Sequence, residues 1–176
     1  MELQEALTLA AGCGFDHVHP MAVEGLEFDP RVREMCAADR CRSYGRSWAC
    51  PPACGSLEEI AGKAGQYARG ILVQSTGTLE DDFDMEAMMD TEQLHKERFY
   101  ALVKQFRRLC PDCLPMGAGT CRLCESCAYP EPCRHPELVF PSMEACGLFV
   151  SKVCQDSGMK YYYGPLTITY TACILF

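Results

Sequence analysis

Cys121-Arg-Leu-Cys124-Glu-Ser-Cys127-Ala-Tyr-Pro-Glu-Pro-Cys133 carries four cysteines and neither of the apolar periods that hold a helix or a strand against a core. A segment of this kind is ordered by bonds to its sulfurs rather than by burial. The same holds upstream, where Arg31 to Gly55 loses apolar periodicity and fills with Cys, Gly, Ser and Pro around Cys36-x4-Cys41-x8-Cys50-Pro51-Pro52-x-Cys54. The fold is therefore expected to be a core built by the remaining segments, with two cysteine-rich loops set upon it.

Those remaining segments alternate. Residues 2–11 read as a short helix ending near Gly12, and Asp16 to Phe28 offers strand-like Val18, Met21, Val23, Leu26 and Phe28. Ser56 followed by Glu59 is a capping box that opens a helix running towards Tyr67. Arg69 to Thr76 reads as a buried strand. Between Met85 and Leu109 the apolar positions recur at three- and four-residue steps, which predicts a long amphipathic helix with its methionines as core filler. Leu114 to Gly119 predicts a short strand. Ser142 predicts the cap of a helix that continues to about Asp156, before Gly158. Tyr161 to Tyr163 and Leu166 to Phe176 read as β-structure broken by Gly164-Pro165. The expectation is one domain over 1–176, of α/β or α+β class, with a sheet and packed helices.

Composition narrows the function classes. With 48% hydrophobic and 23% charged residues the chain is an ordinary globular one, apart from 14 cysteines in 176 residues. A net charge of -8 disfavours nucleic acid and anionic lipid as partners, and Lys104, Arg107 and Arg108 read as the solvated face of a helix. No apolar run approaches a membrane span, and Met1 to Ala11 lacks the basic region of an export signal, so a cytoplasmic location is expected. In a reducing compartment clustered thiols point to metal rather than to disulfides.

In the second block, three thiolates at two-residue gaps can wrap three corners of a cubane, and Cys133 can close the fourth, which favours a 4Fe-4S cluster held by Cys121, Cys124, Cys127 and Cys133. Zinc is the alternative, although zinc sites usually draw on two well-separated pairs. The first block, Cys36, Cys41, Cys50 and Cys54, can enclose a second cluster or a structural zinc, and its spacing does not decide between them. Trp48 is placed to shield such a centre or to pack in the core. Cys110-Pro-Asp-Cys113 follows a helix instead of opening one, which argues against dithiol catalysis and leaves the pair as reserve ligands. Cys13, Cys146, Cys154 and Cys173 read as small hydrophobes. His17 and His19 share a strand face and read as a surface pair; Arg134 and His135 stand where they can donate hydrogen bonds to a cluster. No hydrolase or nucleotide-binding motif occurs.

Taken in order, Cys36...Cys41...Tyr44-Gly45...Cys50-Pro51-Pro52 before Ser56-Leu57-Glu58-Glu59, then Gly119-x-Cys121-x2-Cys124-x2-Cys127-x5-Cys133-Arg134-x-Pro136 before Ser142-Met143-Glu144, resemble an uncharacterised domain-of-unknown-function family of predicted metal-binding proteins common in anaerobic bacteria and archaea. The resemblance implies metal or iron-sulfur binding and an anaerobic setting, and brings no reaction with it; Cys54, Cys110 and Cys113 fall outside it. The functional expectation is an iron-sulfur protein in electron transfer, its acidic surface meeting a basic redox partner protein. A zinc-stabilised interaction module, or a metalloenzyme with an open site at Cys36, Cys41 and Cys50, are the alternatives. Oligomeric state is not written in the sequence.

Overall fold

The computed structural model describes residues 1–176. Its frame is a sheet of β1 (His17–Pro20), β2 (Gly70–Thr78), β3 (Leu114–Met116) and β4 (Thr167–Leu175), in the order β1-β2-β4-β3. Every neighbouring pair is antiparallel, which makes the arrangement α+β rather than α/β. The helices are α1 (Leu3–Gly12), α2 (Pro30–Ala37), α3 (Leu57–Ala64), α4 (Met85–Leu109) and α5 (Val150–Asp156). None is long and apolar enough to cross a membrane.

Because strand side chains alternate, the β2–β4 register of Ile71 with Ile174 and Leu72 with Cys173 sorts apolar residues onto two faces. Ile71, Val73, Ala172 and Ile174 pack with Ala6, Ala10, Phe99, Leu102, Val103 and Phe106 from α1 and α4. On the other face Leu72, Met116, Cys173 and Leu175 pack with Ile60, Met143, Leu148, Val153 and Cys154. Two of the helix starts read from the sequence are capped as chemistry requires. The Ser56 hydroxyl accepts from Glu59 N at 3.1 Å while Glu59 accepts from Ser56 N at 2.7 Å, and the Asp84 carboxylate accepts from Ala87 N at 3.0 Å.

Five local expectations are corrected. The strand expected over 16–28 stops at Pro20, because its last ladder bond, Met21 N to Gly70 O at 2.8 Å, reaches the first residue of β2 and no partner lies beyond. Helix α2 lies inside the stretch read as loop, where Asp29 caps its N-terminus and Pro30 occupies the first turn. The helix expected from Ser142 makes its cap, Ala145 N to Ser142 Oγ at 3.1 Å, and then breaks at Gly147, whose φ of 83° is left-handed. A Cβ there would meet Leu57 at 2.6 Å, so α5 starts afresh at Val150. Met85 and Met89 are exposed rather than core, because they stand to the side of the Met88, Thr91, His95 and Phe99 line that α4 turns to the sheet, where Tyr170 bonds to Met88 O and Thr91 lies against Gly77. Tyr161 to Tyr163 lie outside any strand.

Candidate metal centres

The second cysteine block is an excursion from the sheet edge. The chain departs after β3 and returns at Ser142, and the neck is closed by Gly117 N to Pro141 O and Met143 N to Gly117 O, both 2.9 Å. Within this loop Cys121, Cys124, Cys127 and Cys133 line one cavity of about 450 Å³. Several donors are already aimed at its sulfurs. Tyr100 of α4 reaches Cys121 Sγ through its hydroxyl at 3.8 Å, and burial pushes that phenol up, which keeps it a donor. The backbone N–H of His135 lies 3.4 Å from Cys133 Sγ. At Cys127 burial opposes ionisation, but N–H groups of Tyr129 and Trp48, the Ser47 hydroxyl and the Arg134 charge outweigh it, and the thiol lies below its usual range.

Ser47 and Trp48 belong to the first block, so the two blocks meet. The Trp48 indole N–H donates to Glu131 O at 2.8 Å, and its ring sits edge-on to Tyr129 at 5.1 Å. Cys36, Cys41 and Cys50 line a second cavity of about 310 Å³, closed on its far side by Gly119, Thr120, Ser142 and Glu144. Cys41, Ser43 and Thr120 stand in the walls of both cavities, which makes the two neighbours. Cys54, grouped with these thiols by sequence spacing, is absent from both walls; it sits near Arg33, and its charge, like that of Cys36 and Cys41, acts on Cys50. Burial is the main cause that raises Cys50 to about 11.

The loop that carries Cys41 is built around Asp39. Its carboxylate accepts from Tyr44 N at 2.9 Å and pairs with Arg46, and the backbone is left-handed at Asp39 and again at Arg42. An arginine at a φ of 54° is a costly conformation that its surroundings must impose.

Of the remaining cysteines Cys146 lies near the first block, where Cys54 and Cys36 act on it; the other cysteines, with His17 and His19, stand apart. Cys110 and Cys113 pack with the α1–α4 side of the sheet, away from both cavities, so they supply no ligand there. Cys146, Cys154 and Cys173 are fully buried in the opposite cluster as small hydrophobes. His17 stacks on Tyr163 at 4.1 Å, and His19 bonds to Pro20 O at 2.8 Å.

A family model described as "Predicted metal-binding protein (DUF2284)" matches residues 19–176. The chain belongs to the DUF2284 family. The DUF2284 match takes in both cavities and upholds the resemblance read from the cysteine blocks. No curated protein and no solved structure gives a significant match.

Metal binding, which DUF2284 membership implies, can be tested against the residues present. No three His, Cys, Asp or Glu side chains converge tightly enough to grip a bare ion. The thiols are instead disposed around cavities, as soft donors for a soft metal or a multi-atom group. Beside them Arg33 Nη1 is buried without any partner, while the same guanidinium donates to Gly55 O. Its charge acts on Cys36, Cys54 and Cys146. Of these thiols only Cys36 lines a cavity, and Arg33 stands outside both walls, so its charge would favour an anionic thiolate at Cys36 from behind the wall.

Of the charge around the second cavity, only Arg134 was read from the sequence. Arg42, Arg46, Arg122 and Arg134 all line it, against one acidic wall residue, Glu125, in a protein of net charge -8. Arg122 and Arg134 each follow a cysteine directly, which was a visible signal. Tyr100 gave none, because only the fold brings α4 under Cys121.

Proposed function

We propose that this protein is an iron-sulfur protein that carries a 4Fe-4S cluster on Cys121, Cys124, Cys127 and Cys133 and transfers electrons. The observation that carries the reading is the second cavity: four cysteines in one wall, hydrogen-bond donors already on the sulfurs of Cys121 and Cys133, and arginines to offset the charge of a thiolate-bound centre. Four ligands saturate a cubane, and a saturated cluster passes electrons or braces structure rather than binding substrate. The first cavity holds a second centre, a cluster or zinc.

The test is iron, zinc and acid-labile sulfide content of anaerobically purified protein, with absorption and dithionite-reduced EPR spectra. About four irons and four sulfides per cluster are expected. Cys124→Ser removes the second centre's chromophore and Cys154→Ser leaves it. Zinc without iron or sulfide after attempted reconstitution would retire the reading in favour of a zinc-stabilised interaction module.

One observation favours a second reading for the first cavity. Cys36, Cys41 and Cys50 line it and Cys54 does not, which suits a three-thiolate centre with an open position and hence a metalloenzyme. Added cyanide would then shift that centre's EPR signal; an unchanged signal would remove this reading.

A further inference from the structure

The sign of the whole molecule and the sign of its candidate redox surface are opposite. Net charge is -8, and a run of exposed carboxylates, Glu80, Asp81, Asp82, Glu86 and Asp90, lies around the start of α4. The second cavity is rimmed instead by Arg42, Arg46, Arg122 and Arg134, all exposed. Asp39 neutralises Arg46, and Arg134 donates to the Ser126 carbonyl at 2.8 Å, which leaves its charge intact. Arg42 and Arg122 form no ion pair.

The same rim carries Trp48 and Tyr129, packed edge to face and partly exposed. Arg, Trp and Tyr are the residue types enriched where proteins dock, because they combine large rigid contact area with directed hydrogen bonds. Charge within about a Debye length of the contact governs encounter, and the four arginines of the wall, offset by Asp39 on Arg46 and by Glu125 beside them, leave the wall of this cavity net positive against the more distant carboxylates of 80–90.

The geometry points to a docking surface, Arg42, Arg122, Arg134, Trp48 and Tyr129 around the second cysteine cavity, for an acidic one-electron carrier protein. This reverses the basic partner that net charge alone implies, and it rests on the electron-transfer reading above. One electron passes from the reduced centre to the carrier, which is reduced as the centre is oxidised, and no bond or proton need move.

Two measurements test it. Dithionite-reduced protein is freed of reductant and mixed in a stopped-flow instrument with Fe(III)–EDTA, an anion that accepts one electron to become Fe(II)–EDTA, or with hexaamminecobalt(III), a cation. Despite the net charge, the reaction with the anion is expected to slow roughly 2- to 10-fold between low salt and 0.2 M salt, and the reaction with the cation is expected not to slow. Arg122→Glu and Arg42→Glu should each weaken that dependence, and the double variant should reverse it. A reaction with the anion that salt speeds up, or one whose salt dependence neither variant changes, overturns the proposal.

The second measurement does not depend on a redox centre. Poly-L-glutamate should bind the protein with salt-sensitive affinity that Arg122→Glu lowers several-fold, and no binding overturns the surface. If the protein proves to hold zinc alone, the electron-transfer reading fails while poly-L-glutamate still reports on the arginine face. Self-association in sedimentation velocity that Arg122→Glu abolishes would seat a second copy's acidic 80–90 segment on this face, and would overturn the acidic carrier.

Discussion

The face of the sheet that meets α1 and α4 and the edge that carries the cysteine blocks are ordered by different forces. On the first, Leu102, Val103, Phe106, Ile71, Val73 and Ile174 are all completely buried, and the hydrophobic effect alone specifies their places. Along 121–139 no residue is buried to that degree, and order rests on turns, bonds between the blocks such as Trp48 to Glu131, and hydrogen bonds to sulfur. A frame ordered by burial thus carries loops that burial does not order, so the two regions should fail separately.

Metal removal should separate them most. Thiolate-rich sites contribute about 10–16 kcal/mol in zinc peptides, so chelation should open residues 38–55 and 119–139 to limited proteolysis while α4 stays protected. Cleavage within α4 at the same rate would show that the frame also depends on metal. Phe106→Ala attacks the other region and should cost about 3–5 kcal/mol in denaturant unfolding, with metal content of the folded protein unchanged. Loss of metal from a still-folded variant would mean that the two regions are one cooperative unit.

His95 gives an intermediate effect. It is fully buried between Phe15, Phe99 and Tyr170, its Nδ1 is 3.1 Å from Ser75 Oγ, and its Nε2 has no partner. Burial, then the charges of Lys96 and Arg98 against an opposing Asp16, push it down to about 3. The unfolded chain takes up this proton near the usual 6.5 and the folded protein does not. Stability is therefore full above that pH and falls with acid, by up to about 1.4 kcal/mol per pH unit between pH 6 and 4. His95→Leu should flatten that slope, and an unchanged slope would place the acid sensitivity elsewhere. The smallest effect is Ser56→Ala, which removes the α3 cap and should lower stability by about 1 kcal/mol; a change below about 0.3 kcal/mol would mean that packing alone fixes this helix.

The same division explains what the sequence disclosed. The α4 helix was legible from the buried period of Phe99, Leu102, Val103 and Phe106, because burial imprints a period on the residues that are buried, while Met85 and Leu109 at its ends are exposed. The capped turn at Ser142 was misread as the start of a long helix, since the contact that forbids a side chain at Gly147 comes from Leu57 and Asp29, far away in the chain. The two cysteine groups announced themselves, but their meeting did not. Cys41 facing both cavities, Cys54 standing outside both walls and Tyr100 reaching Cys121 are products of tertiary approach, which leaves no local pattern.

Trp48 is the only tryptophan in the chain, and it stands in the wall of the second cavity. All indole fluorescence therefore originates a few ångströms from the proposed cluster, where a coloured centre would quench it by energy transfer. Emission should stay dim in the loaded protein and brighten as the centre is lost, giving an optical gauge of occupancy that needs no added dye and is blind to the rest of the fold.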